Sequence, residues 1–275
     1  MAARSRVSVI IRARDEAGEL TRCLDALRAQ AGIGALQVIY VDAGSRDGSP
    51  ELASARGATV VPIGAVSFGA ALKLGADRAQ HEVLVALSAH VGLPDDGWLA
   101  RACATLADPE LACTSGDRWG PDGRPLSAPL RQDATLARWR PEWGYANGAG
   151  AFRAALWRER PFAAQLPGVE DKEWALHWLD RGYGCLIDPG LVVVHDHAHD
   201  RLPAIYRRAR REAEGYAAFV DRGPGTAAAL ARDWWSDRRF YDSALRARLS
   251  PPRAARLLGD HAGRRRAARA PAGAP

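Results

Sequence analysis

The stretch VIYVDAGSRDGS, residues 38–49, restricts the fold of this chain more than any other segment. Val38, Ile39, Tyr40 and Val41 form an unbroken apolar run, the pattern of a strand covered on both faces in a parallel sheet. Asp42, Gly44, Ser45, Asp47 and Gly48 then end it abruptly, so a carboxylate stands at the carboxyl end of a buried strand. Ligands of open α/β sheets bind at that end, which makes Asp42 a candidate to accept hydrogen bonds from a nucleotide base or ribose. Turns of this composition also serve simply to cap the helix that follows, and the turn alone leaves both readings open.

The segment before it, VSVIIRARDEAGELTRCLDALRAQ at residues 7–30, supplies another buried strand, a polar turn and a helix with Leu20, Leu24 and Leu27 at helical spacing. The alternation continues. Residues 50–56 read as a short helix, 58–62 as a strand, 67–79 as a helix, 82–87 as a strand, about 95–106 as a helix and 111–115 as a strand. That order predicts an α/β fold with a Rossmann-like, mostly parallel sheet flanked by helices. Over 116–150 Gly, Pro, Trp and Arg mix without a period, which predicts loops around a groove. Beyond it the pattern predicts a short helix from Ala151, a helix at about 171–181, a strand pair at 184–187 and 191–195, and a basic helix over 202–220 with Arg207, Arg208, Arg210 and Arg211. From about residue 250 the chain is rich in Pro, Ala and Arg and is expected to be partly disordered.

At 275 residues, 47% hydrophobic and 25% charged, the chain can bury a substantial core. No apolar run approaches the roughly 20 residues needed to span a bilayer. Residues 7–11 are too short for a signal-peptide core and lead straight into Arg12 and Arg14, so the cytoplasm is the expected compartment. Cys23, Cys103, Cys113 and Cys185 are scattered without metal-ligand spacing and read as small core residues. The net charge of +6 is carried almost wholly by Arg, since Lys73 and Lys172 are the only lysines. Such a balance can attract nucleic acid, anionic lipid or a diphosphate, and it equally reflects a GC-rich genome; nucleic acid is not expected as a partner.

The first two strand–turn units together resemble the nucleotide-binding start of the inverting family 2 glycosyltransferases of GT-A fold, which read as strand, Asn-Glu turn, helix, then Val-Asp-Asp-Gly-Ser-x-Asp-Gly-Ser. Here Asp15-Glu16 stands where Asn-Glu is usual. The resemblance implies a GT-A-type domain that moves a sugar, of hexosyl or rhamnosyl type, from a nucleotide-diphospho-sugar to an acceptor hydroxyl with inversion. It places Asp15, Asp42, Asp47, Lys73, Ser88 and His90 near the nucleotide sugar. Ser88-Ala89-His90 occupies the place of the family's Asp-x-Asp, whose carboxylates hold a divalent cation against the diphosphate. Mg²⁺ prefers oxygen ligands and imidazole suits Mn²⁺, so the replacement leaves use of Mn²⁺ or Mg²⁺ open.

GVEDKEWALHWLDRGYGCLIDPGLVVVHDH, residues 168–197, resembles the family's acceptor-side block. By that resemblance Asp171 is the base that takes the acceptor proton, Glu170 positions the acceptor or the helix, and His195 joins His90 as a candidate metal ligand, with His197 the lesser alternative. Taken singly, Glu170 and Asp171 also suit the start of a helix, and Lys73 suits a solvated helix face. Asn147-Gly148-Ala149 resembles the loop beneath the acceptor. Trp139, Trp143 and Tyr145 suit sugar stacking or the core.

The expected organisation is a glycosyltransferase domain over 1–199, a basic helical extension over 200–249 and a tail over 250–275. The acceptor is a glycan, a lipid-linked sugar or a small hydroxyl compound. The basic helix and Arg264 to Arg266 make a peripheral contact with the inner face of an anionic membrane a candidate, a solvated helix and tail being the alternative. Two other classes stay open: a catalytically silent nucleotide-sugar-binding or scaffold protein, and a nucleotidyltransferase, although the latter lacks a Gly-rich loop after the first strand.

Overall fold

Each apolar run that ends in Asp, Ser or Gly becomes a strand. The computed structural model describes residues 4–64, 67–195, 201–236, 241 and 243–269. β1 (Arg6–Ala13), α1 (Ala17–Arg28), β2 (Ala35–Asp42), α2 (Ser49–Ala55), β3 (Thr59–Pro62), α3 (Phe68–Ala76) and β4 (Val83–Ser88) alternate as expected. A two-residue strand β5 (Val91–Gly92), α4 (Trp98–Thr105), β6 (Leu111–Ser115), β7 (Leu130–Gln132) and α5 (Ala134–Trp139) follow. Then come β8 (Ala149–Arg153), α6 (Ala154–Glu159), α7 (Glu170–Leu179), β9 (Gly184–Ile187) and β10 (Val194–His195). Four helices close the described chain: α8 (Leu202–Tyr216), α9 (Ala227–Ser236), α10 (Ala244–Leu249) and α11 (Pro251–Ala267).

Eight strands form one sheet in the order β3-β2-β1-β4-β8-β6-β9-β7, and β5 pairs with β10 in a separate antiparallel ribbon. β3, β2, β1 and β4 run parallel, with Ala13 opposite Asp42 and Arg12 opposite Ser88. The period of two along β1 sends Val7, Val9, Ile11 and Ala13 into the core under α1 and α4, and Ile10 into the core under α3 and α7. Arg12 shares the face of Ile10. At Gly75 a Cβ would stand 2.4 Å from Ile10 Cγ2, so only glycine lets α3 lie this close to β1. All four cysteines are buried and unbridged, as expected of core residues.

Four expectations need correction. Ala151 lies in a strand and not at a helix start: β8 is buried along its length and runs antiparallel between β4 and β6, and helix begins only at Ala154. Gly150 permits this, because a Cβ there would meet Ala146 O at 2.5 Å and the Tyr145 ring at 2.6 Å. β7 and α5 lie inside the span read as loops. β9 and β10 do not pair with each other, since β10 crosses to β5.

The fourth correction concerns the tail. Instead of disorder, α11 starts at a Ser250 hydroxyl that accepts from Arg253 N (3.3 Å) and packs along α8. The two helices touch through glycines: a Cβ on Gly259 or Gly263 would lie 2.3 Å from the carbonyl oxygen of Tyr206 or Arg210, respectively. Arg264 is buried, pairs with Asp233 and Asp260 at 3.1 Å each, and donates to Arg222 O at 2.9 Å. Part of the charge considered for a membrane surface is therefore turned inward. Among the described residues no helix is long and apolar enough to cross a membrane.

Gly263→Val should lower the stability of the chain by about 1–3 kcal/mol, the usual cost of forcing bulk into a closed contact, in equilibrium denaturation. Unchanged stability would mean that α11 does not pack on α8 through this glycine.

Candidate active site

The carboxyl ends of β1 and β4 bring Arg12 and Ser88 side by side, and both line a cavity of about 410 Å³. α3 adds Phe68 and Leu72, the loop before β8 adds Glu142 and Asn147, the start of α7 adds Glu170 and Asp171, and α8 adds Arg208, Arg211 and Tyr216. The cavity thus lies where an open α/β sheet ordinarily receives its ligand.

The acidic pair owes its position to a strained elbow. Val169 has φ +60°, a left-handed conformation that a β-branched residue adopts only under constraint, at a cost on the order of 1–3 kcal/mol. The constraint comes from α8: at Gly215 a Cβ would stand 2.6 Å from Gly168 O and 2.7 Å from Val169 Cγ2, so the helix backbone closes directly on the elbow.

Beyond the elbow the two carboxylates are held from the loop opposite. Asn147 N donates to Asp171 Oδ2 (3.0 Å) and Asn147 Nδ2 to Glu170 Oε1 (3.3 Å), while Lys172 N donates to Asp171 Oδ1 (2.8 Å). Glu170 is buried, 5% exposed, and burial first, then the neighbouring Asp171 charge, pushes its carboxyl up to about 7. Asp171 is partly exposed to the cavity. The adjacent acids therefore differ in environment: one is buried against Asn147, the other is held by backbone N–H groups where a ligand can reach it.

The nucleotide-side acids are placed differently. Asp42, buried, accepts from Tyr40 Oη (3.1 Å), Gly44 N (3.1 Å) and Ser45 N (3.2 Å). Asp15, at φ +54°, accepts from Arg46 N (2.7 Å) and donates its own N–H to Ser45 Oγ (3.0 Å). Asp47 accepts from Ala17 N (2.8 Å) and Ser49 Oγ (2.6 Å), and the Ser49 hydroxyl leads the bonds that hold its carboxyl below the usual range. Asp15 and Asp47 staple the turn after β1 to the turn after β2, and Asp42 holds the latter turn from within. None of them lines the cavity, and neither does Lys73, whose Nζ pairs with Asp77 at 2.9 Å.

His90 Nδ1 lies 3.1 Å from Glu16 Oε2, and that bond raises the imidazole above its ordinary pKa. A protonated imidazole cannot bind a metal, so His90 would act as a ligand only in its neutral form. The backbone of His195 pairs with Val91, one residue beyond His90; its side chain, and all of His197, lie outside the described residues. Among the described residues no group of three His, Cys, Asp or Glu side chains fits a metal ion. The described side chains alone do not assemble a site for Mn²⁺ or Mg²⁺.

Trp143 and Tyr145 are buried core residues, Tyr145 packing on Phe152 and Trp174, so neither offers a face to a sugar. Trp139 is exposed, lies outside the cavity lining and has the Arg140 guanidinium 4.4 Å from its ring centre. Arg12, Phe68 and Arg211 are among the cavity residues to which the sequence assigned no part in the reaction. For Arg12 a signal existed, since it continues the Ser8–Ile10 face of β1 past the point where the core ends.

Residues 8–162, more than half of the chain, match glycosyl transferase family 2. No curated protein matches. Among solved structures, the mannosyltransferase PcManGT from Pyrobaculum calidifontis, in complex with GDP-Man and Mn²⁺, is 20% identical with a TM-score of 0.67, covering 94% of this chain and 85% of that one. Glucosyl-3-phosphoglycerate synthase from Mycobacterium tuberculosis, in complex with Mn²⁺ and UDP-glucose, is 19% identical with a TM-score of 0.58, covering 81% and 82%. S. aureus TarS 1–349 is 15% identical with a TM-score of 0.54, covering 79% and 67%. At these identities the likeness is one of fold, and the sheet flanked by helices is the GT-A arrangement. The match over residues 8–162 goes further: the chain belongs to glycosyl transferase family 2.

Proposed function

We propose that this chain transfers a sugar from a nucleotide-diphospho-sugar to an acceptor hydroxyl with inversion, and that Asp171 is the base. The observation that carries the reading is the Asp171 carboxylate, fixed by two backbone N–H groups on the wall of a cavity at the carboxyl edge of the sheet. The acceptor oxygen forms its bond to the anomeric carbon as the bond from that carbon to the phosphate oxygen breaks. The bonding pair leaves on the diphosphate, and the acceptor proton passes to Asp171. The mannosyltransferase and the synthase of similar fold were each solved with a nucleotide sugar, which supports the donor class.

Glu170 serves the reaction without taking the proton itself. Its hydrogen bond goes to Asn147, the residue whose backbone N–H also holds Asp171, so it fixes the loop that aims the base. Near neutral pH it is partly protonated, which keeps the second negative charge off the cavity wall.

Asp171→Asn should lower turnover of sugar nucleotides, measured as release of nucleoside diphosphate from a donor panel, on the order of 10²-fold or more, with donor affinity little changed. Near-wild-type turnover would remove Asp171 from this role, and no turnover of any donor by the wild type would favour a binding protein.

A pH dependence of stability follows from Glu170. Its folded pKa, about 7, lies above the ordinary carboxyl value of 4.5, so between those values the folded state binds more protons than the unfolded one. Stability should therefore fall as pH rises from about 4.5 through 7, by up to about 3 kcal/mol from this group. Glu170→Gln should flatten that limb and raise the melting temperature at pH 8 relative to wild type. Parallel pH profiles for the two proteins would contradict the buried-acid assignment.

A further inference from the structure

The lining of the cavity holds two guanidinium groups gathered round one ring. Arg12 Cζ lies 3.5 Å from the Phe68 ring centre and Arg211 Cζ lies 5.2 Å from the same centre. Like charges brought this close repel, and a cation–π contact offsets only about 0.5–2 kcal/mol of that cost. Arg211 Nε is, in addition, buried with no hydrogen-bond partner among the described residues. Burial lowers the Arg12 guanidinium to about 10, yet it keeps its charge at neutral pH. Glu170 and Glu16 act on Arg12 and Glu212 acts with Arg211, and burial raises the carboxyls of Glu170 and Glu212. Two cations crowded on a cavity lining, one with an unpartnered buried donor, suit an anionic group.

At the adjoining strand end stand Ser88, a neutral hydroxyl, and His90, already bonded to Glu16. Neither adds an uncompensated carboxylate that would hold a cation there. We propose that Arg12 and Arg211 bind the donor diphosphate directly and receive the negative charge that the leaving group gains, with no metal ion required between protein and phosphate. The inference rests on the glycosyl-transfer reading above and assigns the leaving-group side of that reaction. Bidentate guanidinium–phosphate contacts suit a diphosphate, whose oxygens offer several acceptors within reach of two planar forks. Because Arg211 comes from α8, the extension beyond the family-matched residues supplies half of this site.

Calorimetric titration of the full chain with UDP, GDP, dTDP and inorganic pyrophosphate, each in excess EDTA and again with Mn²⁺, tests this. At least one nucleoside diphosphate, and pyrophosphate more weakly, should bind in EDTA. Arg211→Ala should weaken that binding at least tenfold and Arg211→Lys should restore only part of it. Arg207→Ala, an exposed position on the same helix, should leave it unchanged. Arg12→Ala should act like Arg211→Ala; since Arg12 is partly buried in the sheet, the α8 variants decide if that protein fails to fold. Binding that appears only with Mn²⁺, or metal-free binding that Arg211→Ala does not weaken, overturns the inference while leaving the glycosyl-transfer reading standing. Absence of nucleoside diphosphate binding under both conditions overturns both.

Discussion

The contact of Gly215 with the 168–169 elbow is the constraint on which the site depends. A valine in left-handed backbone is held only while something stops it relaxing, and here α8 closes on it through a residue without a side chain. α8 is itself pressed by α11 through Gly259 and Gly263. A line of close backbone contacts therefore runs from the C-terminal helix to the first residues of α7. The helices beyond the family-matched region are a structural wall of the cavity, and an error in their packing moves the acids rather than a distant surface.

The cavity gathers charges of both signs. The carboxylates come from the start of α7, where a helix N-terminus and backbone N–H groups favour negative charge. The guanidiniums come from β1 and α8 and crowd on Phe68. Glu170 accepts its hydrogen bond from Asn147 Nδ2, while Arg12 acts on it through charge. Acids and guanidiniums gathered in one cavity are an arrangement usual where ligand charge must be met.

The parallel half of the sheet was legible because its strands are short apolar runs that stop at Asp, Ser or Gly. β8 was not, because Ala149-Gly150-Ala151 carries none of the β-branched residues that mark a strand; what makes it one is the absence of bulk against Tyr145. α11 was hidden by composition. Its inner stripe is Arg253, Leu257, His261 and Arg264, helical in spacing but polar in kind, and a polar stripe is read as solvated until its partners are seen. In the site, Ser88, Glu170 and Asp171 line one cavity. Asp15, Asp42 and Asp47 satisfy N–H groups of the turns after β1 and β2, a local demand that spacing alone does not distinguish from ligand binding.

Those stapled turns have a consequence for the chemistry. Asp15 and Asp47 each reach across from one loop to the other, and Asp42 fixes the turn from below, so the rim of the sheet at β1 and β2 is rigid before any ligand arrives. A rigid rim spares a bound donor the entropy of ordering loops, and it fixes Arg12, one residue from the end of β1, relative to Ser88 on β4. α8, by contrast, reaches the cavity from outside the sheet and carries Arg211 on a helix whose place is set by glycine contacts alone at its closest points. Of the two guanidiniums, Arg12 is thus positioned by the sheet and Arg211 by helix packing, and the distance between them depends on the register of α8 against the elbow. A shift of α8 by one residue, about 1.5 Å along its axis, would carry Gly215 off the elbow and Arg211 off Phe68 together, so the geometry of the acidic pair and that of the cavity arginines are coupled through one helix.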